Sequence, residues 1–247
     1  MGRTLRKYLL LVLLLGLGVG YFTRTRLGTV DQLQPETFAE PVQTPLTNAV
    51  PIQFDRTDYH YDVTPLFDYE ISGLVVHKMN YSWFTIDRSE TIFPTDLCLI
   101  WGDNLKNQVH REATVRFSQD CRFCNVEWRG NVPFNLQQLS NNHLLLNRPD
   151  LEKRLAAVLT GDQITLRGKL VNVKATLTGK AGRHDSAAVT WNTSTTRADT
   201  GAGACEVIYV EDVIIRQPAN VPARYLFRVS LWGLGLVGLW AVVDLFR

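Results

Sequence analysis

Two apolar runs, residues 8–22 and 229–243, lie near the two ends of this 247-residue chain, and most of its charged residues lie between them. A run of this kind has few places to go other than a bilayer. The pattern therefore predicts a chain held in a membrane at both ends, with one water-soluble domain looped out between the attachments.

Each run holds fifteen residues, against the roughly 20 a spanning helix needs. The flanks extend them unequally. Thr23-Arg24-Thr25-Arg26 follows the first run at once, whereas the second extends from Tyr225 to Phe246 with Arg228 and Arg247 snorkelling. Tyr21, Tyr225, Trp232 and Trp240 suit the interfacial belts. The basic start (Arg3, Arg6, Lys7) and the small Gly18 and Gly20 also fit a secretory signal. No A-x-A site follows, so an uncleaved anchor is the reading. Gly16 and Gly20 form a GxxxG that would let the two spans approach closely. The division expected is an anchor at 1–26, a linker at 27–58 carrying Pro35, Pro41, Pro45 and Pro51, a soluble domain at 59–217 and a second span at 225–247.

The charge balance gives two answers about orientation. Arg3, Arg6 and Lys7 before the first span outweigh Arg24 and Arg26 after it, which keeps the N-terminus inside. Around the second span the order is reversed, with Arg224 and Arg228 on the domain side and Arg247 beyond. The first helix usually dominates, so the domain is expected outside the cytoplasm, at the cell membrane.

Basic and acidic residues number 26 and 24, with no long run of either sign. A nucleic-acid surface would need a basic stripe, so none is expected. The expected partners are the lipid bilayer and an envelope protein. Four cysteines, Cys98, Cys121, Cys124 and Cys205, suit disulfides in an oxidising compartment. Cys98 with Cys205 across a sheet, and Cys121 with Cys124 locally, is the pairing considered. A four-cysteine zinc site would need a second CxxC, so no metal and no cofactor is expected.

Short runs rich in β-branched and aromatic residues at 69–77, 82–86, 97–101, 113–117, 123–128, 187–191 and 206–215 predict strands. Pro149 and Asp150 open a helix whose apolar face is Leu151, Leu155, Val158 and Leu159, closed by Gly161. In the strand that follows, alternation through Ile164, Leu166, Gly168 and Leu170 shifts to Val171 and Val173, suggesting a bulge at 170–171. The fold class expected is mainly β with one helix: a small curled antiparallel sheet between two transmembrane helices. An OB-like, partly open barrel is the leading architecture and a two-sheet sandwich the alternative.

Three polar segments are candidates for chemistry. Thr193 to Glu206 carries hydroxyls, Arg197, Asp199 and two glycines, Gly201 and Gly203, suited to facing an anion. Ser140-Asn141-Asn142-His143 offers directional hydrogen bonds and an imidazole that could act as base or ligand. Asp96 to Asp103 places an acid before a buried-looking strand and Trp101-Gly102 after it. Each also has an ordinary structural explanation, and no nucleophile elbow is present.

These three segments, with the N-terminal anchor, resemble a group of uncharacterised bacterial membrane-anchored proteins over most of residues 65–215. The group has no assigned activity. The resemblance implies that the Asn/His and Arg/Asp/Gly segments meet, giving a candidate pocket of Asn141, Asn142, His143, Arg197, Asp199 and Glu206. The function expected is a binding or assembly module of the cell envelope. The alternative is a membrane-anchored hydrolase centred on His143, Arg197 and Asp199.

Overall fold

The structure, a computed structural model, describes residues 3–56, 59–81, 92–120, 122–178, 188–199 and 204–245. Both apolar runs are helical, as α1 (Arg3–Thr23) and α4 (Val221–Leu245). Within them, Thr4–Thr23 and Val221–Asp244, 20 and 24 residues, are long and apolar enough to cross a membrane. The two helices pack antiparallel on their small residues. A Cβ on Gly20 would stand 2.7 Å from the backbone nitrogen of Phe227, one on Gly16 would meet the Ser230 hydroxyl, and one on Gly233 would meet Leu13. Arg6 and Asp244, 3.5 Å apart, pair at the far end of the hairpin, where Arg6 also lies over the Trp240 ring.

Between them, the described residues include ten strands: β1 (Val42–Pro45), β2 (Ile52–Arg56), β3 (Tyr59–Asn80), β4 (Thr95–Ile100), β5 (Arg116–Asp120), β6 (Phe123–Glu127), β7 (Leu139–Leu145), β8 (Gln163–Leu177), β9 (Ala188–Trp191) and β10 (Glu206–Gln217). β5 and β6 make a separate hairpin, and the other eight form one large sheet. The ladders β3–β4, β4–β7, β7–β10, β10–β8 and β8–β3 lead from β3 back to β3.

Three expectations need correction. The sheet is mixed and not antiparallel throughout, because β10 runs parallel to β7. A parallel pair needs a long crossover, and here α3 (Pro149–Ala157) and β8 supply it. The domain also has a second helix, the single turn α2 (Asp103–Lys106). Finally, the stretch read as a linker carries β1 and β2, both paired to β3. Prolines sit at the end of β1 and just ahead of β2, which edge strands tolerate because they need no donor on their open side. The strand expected at 82–86 lies outside the described residues.

The cores explain the slip seen in the sequence of β8. Tyr69, Ile71 and Val75 of β3, Leu97 and Leu99 of β4, Leu144 of β7, Ile164, Leu166 and Leu170 of β8, and Ile208 and Val210 of β10 form one cluster, with Leu151 and Leu155 of α3 packed into it. A second cluster covers the opposite face, with Tyr59, Tyr61 and Val63 of β3, Val171, Val173 and Ala175 of β8, Leu145 and Val207. β8 serves the first core with even-numbered residues and the second with odd ones, so its apolar pattern changes parity without a bulge. The register shift lies on β3, between Pro65 and Phe67, opposite Val171 and Leu170. One extra residue there turns β3 over, since side chains alternate with period two. A third cluster joins Val30 and Ala219, at the helix hairpin, to Leu74, Val76, Ile100, Leu105 and Val109.

A half-buried lysine and a buried aspartate fasten helices to this frame. Lys78 Nζ donates to the carbonyls of Leu155 (2.7 Å) and Val158 (2.9 Å), capping the C-terminal end of α3 where the helix dipole favours a cation. Asp162, fully buried, accepts from the backbone of Ala219 (2.8 Å) and Leu159 (2.9 Å) and pairs with Arg224 of α4. Next to it, the Asn220 amide donates to the carbonyls of Arg24 and Arg26. The domain is therefore pinned to both helices where they enter it.

Candidate functional site

The candidate residues occupy neighbouring strands. Glu206 of β10 is paired with Asn142 of β7, and His143 of β7 with Asp96 of β4. Neighbouring is not the same as facing. Asn141 and His143 project to the face of Leu145 and Val207, whereas Asn142 and Glu206 project to the face of Leu144 and Ile208. The sheet separates the two halves of the expected pocket.

On the first face, His143 is fully buried, with Nδ1 2.9 Å from Asp96 Oδ1. That contact is at ion-pair distance but off hydrogen-bond geometry, and Nε2 is buried without a hydrogen-bond partner. The imidazole stacks on Phe93 (5.4 Å between centroids) and meets the edge of Trp191 (5.1 Å). Arg122, from the turn of the β5–β6 hairpin, reaches both Asp96 oxygens at 3.2 and 3.3 Å and donates to the Phe93 carbonyl. Its guanidinium lies 4.0 Å from the Tyr81 ring centroid. Asp96 is fully buried, and burial of a charge is tolerable only when it is paired in this way.

The same hairpin is attached at three further points. Gln119 donates to Asn141 Oδ1 at 2.9 Å, and Asn141 Nδ2 donates to the Arg122 carbonyl and to the Cys205 sulfur. The third is a disulfide between Cys98 of β4 and Cys124 of β6. The pairing of Cys98 with Cys205 is thus corrected, and so is that of Cys124 with Cys121. Alternation puts Cys98 on the face that the hairpin covers, which brings Cys124 within reach. Cys205 carries a free thiol, pushed up to about 11 by burial, so it stays protonated and is a poor nucleophile. Cys121 lies outside the described residues.

On the second face, Arg197 pairs with Glu206 and donates to the Tyr69 hydroxyl. Its guanidinium sits over the rings of Trp101 (5.4 Å) and Tyr69 (5.6 Å). Burial pushes the Glu206 carboxyl up to about 7, against the opposing pull of Arg197. Glu40 completes the surround, accepting from Trp101 Nε1 (2.9 Å) and Gln138 Nε2 (2.6 Å). Asp199 is held locally by the Ser194 hydroxyl at 2.6 Å. Asn142 braces β7 against β4, donating to the Leu97 carbonyl and the Ser140 hydroxyl. Gly201 and Gly203, expected to face an anion, lie outside the described residues.

His143, Arg197 and Asp199 therefore do not converge. Among the described residues no group of three His, Cys, Asp or Glu side chains is placed to hold a metal ion. Asp96 carried a sequence signal, an acid opening an apolar strand. Arg122, Tyr69 and Glu40 carried none, because each reaches its partner from a distant part of the chain. No protein family, curated protein or solved structure matches this chain.

Proposed function

We propose that this chain is a membrane-tethered binding or assembly module of the cell envelope, with its β-domain outside the cytoplasm. The observation that carries this reading is the separation of the chemically capable side chains onto opposite faces of one sheet, with His143 buried beside Asp96 and Arg197 held by Glu206. A hydrolase needs a base, a nucleophile or water, and a polarising group around one reachable point. Here the imidazole is sealed under Phe93 and Trp191, the arginine is held by Glu206 across the sheet, and the free thiol is protonated. Against that, the join of the domain to both helices through Asp162, Arg224 and Asn220 suits a part that must present one face at a fixed height and angle.

The returning circuit of ladders supports an OB-type barrel as its architecture. The order β3-β4-β7-β10-β8-β3, with a parallel β7–β10 step and a helix between β7 and β8, is the order such a barrel requires. OB barrels bind oligomers on their second and third strands, which here are β4 and β7. Both are buried along almost their whole length, with the disulfide-linked β5–β6 hairpin over one face. This argues against nucleic acid on that surface and for recognition elsewhere. The disulfide favours an oxidising compartment.

The test is to replace His143 and Arg197 separately by alanine and follow both thermal stability and the cellular phenotype of the chain. The module reading expects each phenotype to track a loss of stability. A variant that abolishes function at unchanged melting temperature and unchanged abundance would restore the hydrolase.

A further inference from the structure

The insertion between β4 and β7 builds a cleft that no part of the mechanism above uses. It measures about 520 Å³ and lies between α2 and the loop at residues 128–137, lined by Asp103, Asn107, Trp128, Phe134, Asn135 and Gln137 among others. Its floor is aromatic. Trp128 stacks on Phe134 with centroids 5.3 Å apart and planes 23° from parallel, so Phe134 covers one face of the indole while Trp128 stays 38 % exposed. Leu136 beside it is 55 % exposed.

Exposed aromatics are commonplace, but the scaffolding under these is not. Asn104 is fully buried and holds the two walls together: its amide donates to the carbonyls of Asn135 (2.8 Å) and Gln138 (3.0 Å), and its Oδ1 accepts from the Asn135 backbone (2.8 Å). Gln138 Oε1 accepts from the Asp103 backbone at 2.6 Å. Gly102 has φ +59° and stands so close to Gln138 that any Cβ would overlap it. Asn135 Oδ1 in turn fixes the Gln137 backbone. The cleft is rigid before anything enters it, which lowers the entropic cost of binding.

The rim selects the ligand. The exposed amides of Asn107 and Gln137 offer donors and acceptors together, and Asp103, the charged residue of the lining, is paired with Lys106 at 2.9 Å. A phosphate chain would need cations here, and a greasy peptide would need no such rim. A flat apolar platform bordered by neutral two-way hydrogen-bonding groups matches a pyranose whose hydroxyls are equatorial, because its C–H face is apolar and its edge is polar. We propose that this cleft binds a neutral glycan built of equatorially substituted pyranoses, with one sugar ring stacked on Trp128 and its hydroxyls met by Asn107, Gln137 and Asp103. The assignment rests on the reading of the domain as a binding module and names its ligand class.

The experiment uses the full chain in lipid nanodiscs, titrated with cellohexaose and, separately, with its N-acetylated counterpart chitohexaose. The Trp128 indole resonance is followed, assigned by Trp128→Phe. At least one glycan should shift that resonance saturably, and the two arms distinguish free from acetylated sugars. Trp128→Ala and Gln137→Ala should each weaken binding about tenfold or more at unchanged melting temperature, as loss of a stacking or hydrogen-bonding anchor does. Absence of a saturable shift with both glycans overturns the proposal, as does binding that survives Trp128→Ala. Quenching of Trp128 by brominated lipid would make the patch a membrane contact instead. Failure on both glycans while Trp128→Ala still impairs the chain's cellular phenotype at normal stability overturns the glycan assignment and leaves the module reading intact.

Discussion

At the scale of single residues, two buried acids, Asp96 and Glu206, carry the clearest tests. Asp96 is held between Arg122 and His143, and Asp96→Ala would remove the carboxylate that both of them face. Breaking one partner of a buried pair costs about 3–5 kcal/mol, and chemical denaturation of the variant should show a loss of that order. Glu206 sits in a surround that favours its neutral form, with its pKa raised from 4.5 to about 7 chiefly by burial. A raised folded pKa means that the folded state binds the proton more tightly than the unfolded state does. The contribution is therefore complete below about 4.5 and is lost as pH rises through about 7. Glu206→Gln keeps the shape without the titration, so its melting temperature should vary less across that window than that of the parent chain. Asp96 was legible in the sequence as an acid at the head of a strand. Its partner Arg122 was not, because nothing local distinguishes it from any other exposed-looking arginine in a turn.

At the scale of elements, alternation along strands explains both a success and a failure of reading the sequence. The parity change between Leu170 and Val171 was visible, and the structure places a real change of core there. Its cause lay on the partner strand, where one extra residue between Pro65 and Phe67 turns β3 over. The same alternation split the expected pocket: Asn142 and His143 are adjacent in sequence and so must face opposite ways. The β5–β6 hairpin depends on the bond between Cys98 and Cys124, 26 residues apart. Chain-entropy arguments give such a loop roughly 3–4 kcal/mol. Reduction, or Cys98→Ser with Cys124→Ser, should lower stability by about that amount and expose the hairpin to trypsin, with cleavage near Arg116 or Arg129.

At the scale of the whole molecule, the hairpin of α1 and α4 determines how the domain is held. Gly20 allows the helix backbones to meet, and Gly20→Leu should force them apart at Phe227. Cross-linking between cysteines introduced at Leu13 and Gly233, with Cys205→Ser as background, should be efficient in the parent hairpin and lost in the Gly20→Leu variant. The two apolar runs are the plainest signal in the sequence, and both form helices long and apolar enough to cross a membrane. Their contact was less plain, since glycine is frequent in membrane helices whether or not it packs. The seams at Asp162–Arg224 and Asn220 were not legible at all, as they join positions about 60 and nearly 200 residues apart.

In the proposed arrangement both helices cross the membrane and present one locked domain outside the cytoplasm. The most direct measurement is topology in the native host. Fluorescent reporters that fold only in the cytoplasm are fused at each terminus, and a membrane-impermeant lysine reagent is applied to intact cells to label the domain. The account predicts fluorescence from both fusions and labelling of domain lysines such as Lys174 without lysis. Fluorescence from one fusion alone, or a domain labelled only after lysis, would contradict it.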